Sequence, residues 1–586
     1  MPMRVPLFVL LLLHFLPMDT VGQKVQLRWQ YVDNNQVTNE FFDNKMAALQ
    51  GVQQKLHNDR EMGYLAASVD SVSLGDSIVN VSYFRGAPYR WAKLNMDNVP
   101  MALLTEAGIA ANDWQNVALS PKRLNALFER LLGHCENNGY PFAQVRLAQI
   151  AMQQEGMKAT LVLDRGRLMR IDSVLVNGDV DIAPDFLMNY IGIHHGDAYN
   201  ESLLMQLSKK LANLSFVQEE RPWEVDFTIG KNKLHLYLKE KKANQLNGLI
   251  GLQPNTVETG KFMLTADALL SLKNALAMGE DISATYQNLQ YKSPRFHISA
   301  GIPYLMGTNF GVEGYFDLFK KDTTFYRTTF DLGAKYLLNA SDYVKISYQN
   351  YSNRLITADT LYVIENKALP DNVDVKTNGA VAEFYIDKTD YRLSPRSGWQ
   401  AKCSGAALVR NVRVNDAIVN ISDGSGYDYA DLYDTVNNGR YQYKVNAAVA
   451  WYIKAAKGLV LKLAYSGGYI YSHSLFHNEL YQIGGFKLLR GFDEQSIYAN
   501  QYHVATAELR LLLGRDSYFC LFGDNAMITT NYSTSKHTDY PVSLGAGITL
   551  DNKSGVFNIA LGLGKFSGEP FQFSQVKIHF GYAAYF

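Results

Sequence analysis

The final stretch of the sequence decides the fold, and it reads Val576-Lys577-Ile578-His579-Phe580-Gly581-Tyr582-Ala583-Ala584-Tyr585-Phe586. Apolar side chains stand at every second position, from Val576 through Phe580 to Phe586, and Lys577 and His579 stand between them. Residues i and i+2 of a strand lie on the same face, so the pattern predicts a β-strand with one apolar and one polar face. Such a strand fits a barrel with lipid outside and water inside, although a strand of a soluble sandwich shows the same alternation.

The alternation recurs throughout residues 242–586. In 343–349 the apolar face holds Val344, Ile346 and Tyr348, and 443–451 shows the same period of two. Of the 37 tyrosines, 29 lie in this half of the chain, and amphipathic rings are most stable at the boundary between water and lipid. Because the chain also ends on an aromatic strand, a transmembrane barrel is favoured over a soluble sandwich.

The length of this half sets the expected number of strands. Backbone groups in lipid must be paired within the protein, so the sheet has to close on itself. At about 20 residues per strand and turn, residues 242–586 give about 16 antiparallel strands, an even number as in bacterial barrels. We therefore predict a mainly β protein.

Composition excludes several other classes. The 56 basic and 56 acidic residues cancel, which argues against nucleic acid as a partner. Three cysteines are too few for a disulfide scaffold. Beyond residue 25 no apolar run reaches the roughly 18 residues that a membrane-spanning helix needs. Residues 1–22 have the basic start, apolar middle and small-residue end of a secretory signal peptide.

The first 240 residues contain a repeat with a period near 80 residues. Gly63-Tyr64 recurs as Gly139-Tyr140, and each pair follows an amphipathic helical stretch and precedes two strand-like runs. Ser120 with Pro121 predicts a helix start, and Asn200 predicts another. The predicted order is strand, helix, helix, strand, strand, which is a small α+β domain.

Units of this size and order resemble the POTRA domains of the BamA/TamA superfamily of outer-membrane proteins. The resemblance implies about three periplasmic modules, at residues 24–85, 86–166 and 167–241. The first departs from the pattern, because its opening strand and first helix are not clear in the sequence. Residues 40–58 have a helical pattern but are followed by their own Gly-Tyr and strands, so we assign them to a domain.

The barrel half strengthens the resemblance. Residues 484–492, GGFKLLRGF, match the Arg-Gly-Phe motif of the inward-folded sixth loop of this superfamily, at Arg490, Gly491 and Phe492. Phe522 and Asp524 match the motif of the wall strand that receives this loop. The segments 387–390 and 273–280 resemble two further recurrent stretches, whereas Asn525 stands where a glycine often follows the aspartate.

The motif has a simple electrostatic basis. A guanidinium inside a barrel needs a carboxylate, because an unpaired charge in a partly desolvated interior is costly. We expect Asp524 to pair with Arg490, with Thr506, Glu508 and Arg510 facing inward on the preceding strand.

The sequence offers no enzyme site that we can recognise. His194-His195 lacks spaced partners for a metal and is predicted to be a solvated turn. Nucleophile-elbow and phosphate-loop motifs do not occur in the sequence. We therefore expect a non-enzymatic protein with no cofactor and no metal.

The resemblance implies a Gram-negative outer-membrane protein that inserts or translocates β-rich proteins. Its partners would be unfolded outer-membrane or secreted β-proteins, outer-membrane lipid, and a periplasm-spanning or assembly-complex protein that meets the POTRA domains. Incoming strands would pair at a lateral seam between the first and last barrel strands, at Leu246, Ile250, Phe580, Tyr582 and Phe586.

Three modules favour a TamA-like accessory factor over a BamA-like main insertase. Two alternatives stay open. One is a two-partner-secretion transporter, which carries two modules and a plug helix. The other, from a different class, is a passive porin with periplasmic binding domains, which would not require the pairing of Arg490 with Asp524.

Overall fold

The computed structural model describes most of the chain. The described ranges are 24–153, 156–228, 230–254, 262–288, 292–339, 341–391, 394–437, 440–486, 488–514, 516–532, 535–552 and 555–583. The predicted signal peptide and Phe586 lie outside them. The chain forms two compact units, one running to Ile171 and including Gly196–Leu204, the other comprising Asp172–His195 and Met205–Phe586.

The first unit begins with a four-stranded sheet and one helix. Its elements are β1 (Val25–Tyr31), β2 (Val37–Phe42), α1 (Lys45–Glu61), β3 (Ser68–Leu74) and β4 (Ile78–Phe84). The order is β2-β1-β4-β3, with β1 parallel to β4. Helix α1 packs on the sheet through Ala48 and Val52 against Trp29 and Val81. Residues 40–42, which we expected to be helical, belong to β2 instead, because β1 pairs with them directly.

A second sheet follows in the same unit. Its elements are β5 (Arg90–Asn95), α2 (Met101–Glu106), β6 (Val117–Ala118), α3 (Pro121–Asn137), β7 (Gln144–Gln153) and β8 (Gly156–Asp164). The order is β6-β5-β8-β7, again with the first long strand, β5, parallel to the last, β8. The predicted cap of α3 is present, because the backbone N–H of Arg123 donates to Ser120 Oγ at 3.2 Å.

The Gly-Tyr repeat forms a hydrogen-bonded joint at two places within this unit. The carbonyl of Gly63 accepts from the N–H of Tyr89 at 2.8 Å, and the carbonyl of Gly139 accepts from Met169 at 2.7 Å. Each joint also holds a stacked arginine: Arg85 lies 3.9 Å from the Tyr64 ring, and Arg165 lies 4.9 Å from the Tyr140 ring. The sequence repeat therefore marks a repeated hydrogen-bonded connection.

A third sheet contains β9 (Ser173–Asn177), β10 (Val217–Thr228) and β11 (Lys231–Glu240), with helices α4 (Pro184–Ile191), α5 (Glu201–Met205) and α6 (Leu207–Ala212). Strand β9 is parallel to β11, so all three sheets pair an early strand with the closing strand of their segment. The single helix that we predicted after Asn200 is divided at Gln206, while Leu204, Leu207 and Leu211 are still buried as one apolar face.

The remaining residues form one large antiparallel sheet. Its strands before the long connection that holds the Arg-Gly-Phe motif are β12 (Gln245–Pro254), β13 (Phe262–Lys273), β14 (Asp281–Asn288), β15 (Arg295–Ile302), β16 (Phe310–Lys321), β17 (Phe325–Leu337), β18 (Tyr343–Leu355), β19 (Val375–Asp387), β20 (Gly398–Val412), β21 (Tyr441–Ala456) and β22 (Leu459–Ser472). The connections between them contain α7 (Thr360–Asn366), α8 (Asp416–Val419) and α9 (Leu432–Val436). The long connection after β22 contains the short strands β23 (Tyr481–Ile483) and β24 (Ile497–Ala499), which form a separate two-stranded sheet in the described residues.

The sheet resumes with β25 (Gln501–Leu512), β26 (Tyr518–Tyr532), β27 (Ser535–Asp539), β28 (Val542–Asn552), β29 (Gly555–Lys565) and β30 (Lys577–Ala583). Within the described residues the sheet therefore has 17 strands. Strands β27 and β28 both pair with β26 and are separated only by Tyr540-Pro541, where proline cannot donate to the ladder. Counted as one interrupted strand, they give the 16 that the sequence predicts.

The two faces of this sheet differ as expected for a membrane barrel. In β21 the alternate side chains of Tyr443, Val445 and Trp451 are 47%, 55% and 56% exposed, which places apolar groups on the outer face. On the other face, Lys345 Nζ lies 3.0 Å from Asp331 Oδ1, and both residues are buried. Apolar groups outside and paired charges inside fit lipid on one face and a polar lumen on the other.

The first and last strands of the large sheet are adjacent. Strands β12 and β30 lie against each other, but within the described residues no backbone ladder joins them. The last strand is shorter than we predicted at its start, because Val576 precedes it.

Helices long and apolar enough to cross a membrane do not occur within the described ranges.

Candidate functional site

The candidate site is the long connection between β22 and β25, residues 473–500, which we call the lumen loop. Buried side chains of the loop, Leu489 and Phe492, form one apolar cluster with Val504, Ala526 and Ile528. The last three belong to β25 and β26, on the side of the wall that bears the inward-facing charges. The loop thus packs inside the barrel, as the Arg-Gly-Phe motif predicts.

Arg490 lies at the tip of the loop and is held by two carboxylates. Its Nη2 lies 3.0 Å from Asp524 Oδ1 and its Nε lies 3.2 Å from Asp524 Oδ2, a two-pronged contact. Its Nη1 donates to Glu508 Oε2 at 2.5 Å, and its backbone N–H donates to Asp524 at 3.0 Å. The guanidinium also lies 3.6 Å from the centre of the Phe522 ring, within the range of a cation–π contact.

The carboxylates are themselves fixed by the wall. Asp524 accepts from Thr506 Oγ1 at 2.8 Å and from Ser543 Oγ at 3.3 Å. Glu508 accepts from Arg510 Nε at 2.7 Å. Strand alternation brings Thr506, Glu508 and Arg510 to the same face, so all the inward residues that we predicted on β25 are in the cluster. Each of the two carboxylates is bound by a guanidinium, which offsets the cost of its desolvation.

Glycines allow the loop tip to approach the wall closely. Two of them, Gly562 and Gly564, were not predicted from the sequence. Gly491 has a φ of +104°, which favours glycine. A Cβ on Gly562 of β29 would lie 2.6 Å from the backbone nitrogen of Gly491, and one on Gly564 would lie 2.6 Å from the Phe492 ring. The detectable signal is two glycines at i and i+2 on one strand face, a sign of close approach by another segment.

The base of the loop has a second ion pair that sequence reasoning also missed. Glu479 binds Arg410 of β20 through two contacts of 2.7 and 2.8 Å, and the two side chains are 2% and 1% exposed. Glu479 also accepts from Gln442 at 3.1 Å. The signal in the sequence is Arg410 itself, a charge on the inward face of a predicted strand that requires a partner.

Loops outside the barrel core pack around this base. The connection between β18 and β19 contributes Val363 and Val373, that between β20 and β21 contributes Ile418 and Tyr429, and the lumen loop contributes Phe476, all to one apolar cluster. Outside the strands, Lys367 pairs with Asp423, and hydrogen bonds from the Lys367 and Ser425 side chains lower the pKa of the Asp423 carboxyl. The lumen loop is thus held at its base and at its tip.

The structure brings part of the predicted seam next to this loop. Lys577 Nζ lies 2.8 Å from Asp493 of the lumen loop, and the His579 ring lies 5.9 Å from that of Phe486. Ile578, between them, is 71% exposed, and Leu246 on β12 is 62% exposed. Ile250, Phe580 and Tyr582 lie in β12 and β30, but their side chains, like Phe586, are outside the described residues.

Metal-binding chemistry is not evident in the described ranges, which contain no group of three or more histidine, cysteine, aspartate or glutamate side chains able to share an ion. His194 and His195 are both exposed, and His194 contacts Asn189 at 3.3 Å. Buried Cys135 has a raised thiol pKa because of its burial, which disfavours the reactive thiolate.

Comparison with known proteins gives the following matches. The model of the Omp85 superfamily domain matches residues 274–586. No curated protein matches the chain in sequence. Among solved structures, CdiB from Escherichia coli is similar at 12% identity and a TM-score of 0.53, covering 92% of this chain and 98% of its own. CdiB from Acinetobacter baumannii is similar at 11% identity and a TM-score of 0.52, covering 92% and 97%. BamA from Haemophilus ducreyi lacking POTRA domains 1–3 has 15% identity and a TM-score of 0.44, covering 85% and 100%.

Proposed function

This chain belongs to the Omp85 superfamily, and from that premise we propose that it is a non-enzymatic assembly factor for outer-membrane β-proteins. The three N-terminal sheets lie in the periplasm and capture unfolded β-rich chains, and the barrel inserts them into the membrane or translocates them. The energy comes from the folding of the substrate, since burial of strand edges in a closed sheet is strongly favoured in lipid.

Capture uses the free edge of the first sheet. Strand β2 is the outermost strand of that sheet, so one row of its backbone groups faces away from β1. Phe41 and Val37 on this strand are 65% and 46% exposed, which adds apolar contacts beside the free edge. An extended peptide can add to such an edge through backbone hydrogen bonds, which suits a receptor for many sequences.

We place the insertion of substrate strands at the seam between β12 and β30. The strands lie against each other without a ladder in the part of the chain that the structure describes, whereas their inner neighbours β13 and β29 are fully paired to them. A strand edge in lipid must find partners, so an opening at this place would offer two templates to incoming strands. The proposal rests on this observation: in the described residues β12 and β30 are adjacent but are not joined by backbone hydrogen bonds.

The lumen loop has a positioning role in this mechanism. It fills the interior beside β28 and β29, close to the last strand, and Lys577 of β30 binds Asp493 of the loop. We propose that the contacts of Arg490 keep the interior fixed while the seam opens.

One observation favours an assembly factor over a two-partner-secretion transporter. Helix α1, which would be the candidate for a plug, packs on the first sheet through Ala48 and Val52. That sheet, with the two that follow it, makes three modules. A passive porin would have no use for the ion pairs that hold a loop inside its lumen.

Depletion of the protein followed by proteomics of the outer membrane tests the proposal. We expect the loss of several β-barrel proteins, with the extent separating a general insertase from an accessory factor. Loss of a single secreted protein would assign a dedicated transporter, and unchanged membrane content with altered solute uptake would assign a porin; either result would refute the proposal.

A further inference from the structure

A cavity of about 340 Å³ lies inside the barrel between the wall and the lumen loop. The wall contributes Arg295, Arg327, Tyr351 and Lys444, and the loop contributes Glu479 and two glutamine side chains, Gln482 and Gln495. The volume is at the lower end of the range of small-molecule sites.

The positive charges in this cavity exceed the negative ones. Arg295 has its own partner, Asp317, at 2.8 Å. Arg327 and Lys444 form no ion pair with a carboxylate among the residues that the structure describes; Lys444 Nζ lies 5.2 Å from the ring centre of Tyr351, and Arg327 lies 5.0 Å from that of Phe319. Two cations of the lining are therefore without a directly bonded carboxylate in the described residues.

The acid in the lining, Glu479, is already bonded to other groups. Both oxygens of Glu479 are bound by Arg410, and Gln442 and the backbone N–H of Phe476 take further positions on the same carboxylate. A carboxylate so fully bonded has little capacity left for Lys444. The cost of holding uncompensated cations in a partly desolvated lumen is large, and an anionic ligand would remove it.

The donors around the cavity suit oxygen anions. A guanidinium presents a planar fork of N–H groups, an ammonium presents three rotatable donors, and the glutamine amides add neutral donors. We propose that this cavity, which we call the lumen anion site, binds a polyvalent oxyanion, either a free phosphate- or carboxylate-bearing small molecule or the acidic side chains of a polypeptide in the lumen. The site is separate from the contacts of Arg490 and lies against the base of the loop.

Calorimetric titration of the full chain in detergent tests the proposal, with inorganic pyrophosphate and a hexaglutamate peptide as separate probes. We expect saturable binding of at least one probe. Binding of pyrophosphate would indicate a free anion as the ligand, and binding of hexaglutamate alone would indicate a polypeptide. Lys444→Met and Arg327→Met should each weaken binding about tenfold or more, because each removes a charge-assisted contact.

Two further variants control for charge and fold. Lys444→Arg keeps the charge and should keep most of the affinity. Lys335→Met removes a lumen cation that already pairs with Glu313, and it should leave binding unchanged. All variants are first checked for heat-modifiable migration, which reports a folded barrel.

The unaltered protein supplies a test that does not depend on variants. Acetylation of Lys444, followed by mass spectrometry, should slow in the presence of the bound probe, whereas acetylation of exposed Lys454 should not. The proposal would be overturned if neither probe binds, or if Lys444→Met and Arg327→Met bind the probe as tightly as the unaltered protein.

Discussion

Arg490 enters the barrel interior only because Asp524 and Glu508 meet it there. The guanidinium makes contacts of 3.0 and 3.2 Å to Asp524 and one of 2.5 Å to Glu508. Removal of one member of a buried ion pair typically costs about 3–5 kcal/mol, because the remaining charge is left without a partner. Without Arg490, Asp524 would lose its cation while Glu508 would keep Arg510, so we expect the loop tip rather than the barrel to be displaced.

We therefore expect Arg490→Ala to abolish or strongly reduce assembly activity while the barrel still folds. The measurements are the level of outer-membrane β-proteins in cells and heat-modifiable migration of the purified variant. Lys402→Ala is the matched control, since Lys402 is another cation of the barrel wall, paired 3.0 Å from Glu383. Full activity of Arg490→Ala would show that the loop contact has no functional role.

Arg490 and Asp524 could be predicted because they match two motifs of the superfamily. Glu508 could be predicted from its inward place on the neighbouring strand, where a charge has to be compensated. Arg410 and Glu479 obey the same rule, but they are 69 residues apart in the chain, and no local pattern joins a loop acid to a distant strand. Their pairing required the three-dimensional structure.

At the scale of elements, the contact between the lumen loop and β29 depends on the absence of side chains. Gly562→Ala should displace the loop tip, since its Cβ would lie 2.6 Å from the nitrogen and 2.9 Å from the Cα of Gly491, which are backbone atoms that cannot rotate away. We expect trypsin to cleave after Arg490 in this variant and not in the unaltered protein. Gly405→Ala is the control, because its Cβ would meet nothing within 4 Å; equal resistance of Gly562→Ala to trypsin would contradict the packing described.

The joint at Gly63, between the first two sheets, gives a second prediction at this scale. Gly63 has a φ of +101°, and a Cβ there would lie 3.1 and 3.2 Å from the carbonyl oxygens of Leu119 and Tyr89. Gly63→Ala should thus loosen the first joint, at a cost of about 1–3 kcal/mol for a strained backbone. Faster trypsin cleavage at Arg85 or Arg90 would report the change. Gly133→Ala is the control, because a Cβ at this position of α3 would meet nothing within 4 Å and should leave the trypsin cleavage rate unaltered. Equal cleavage rates in the Gly63→Ala and Gly133→Ala variants would refute the role of Gly63.

Local patterns explain why most elements could be predicted and some could not. Alternation indicated the barrel strands, and Ser120 indicated the start of α3. Residues 40–42 were assigned to a helix because helical spacing extends into them, whereas their pairing with β1 makes them part of strand β2. The break at Gln206 was missed because helical spacing of apolar residues continues through it.

At the scale of the whole molecule, three small sheets precede a barrel whose first and last strands meet without a ladder in the described residues. The family and the fold could be inferred from the sequence because the loop motif, its wall partner and the strand alternation occur together in order. The substrate could not, since a receptor that reads backbone edges leaves little mark of its ligands in its own side chains.

The most direct test of the account is reconstitution of the purified full chain in liposomes, followed by addition of an unfolded outer-membrane β-barrel protein. Folding of the added protein is followed over time by its heat-modifiable migration. We predict faster folding than in liposomes that lack the chain, and loss of that acceleration with Arg490→Ala. Folding at the same rate with and without the chain would contradict the central claim that this barrel assembles other β-proteins.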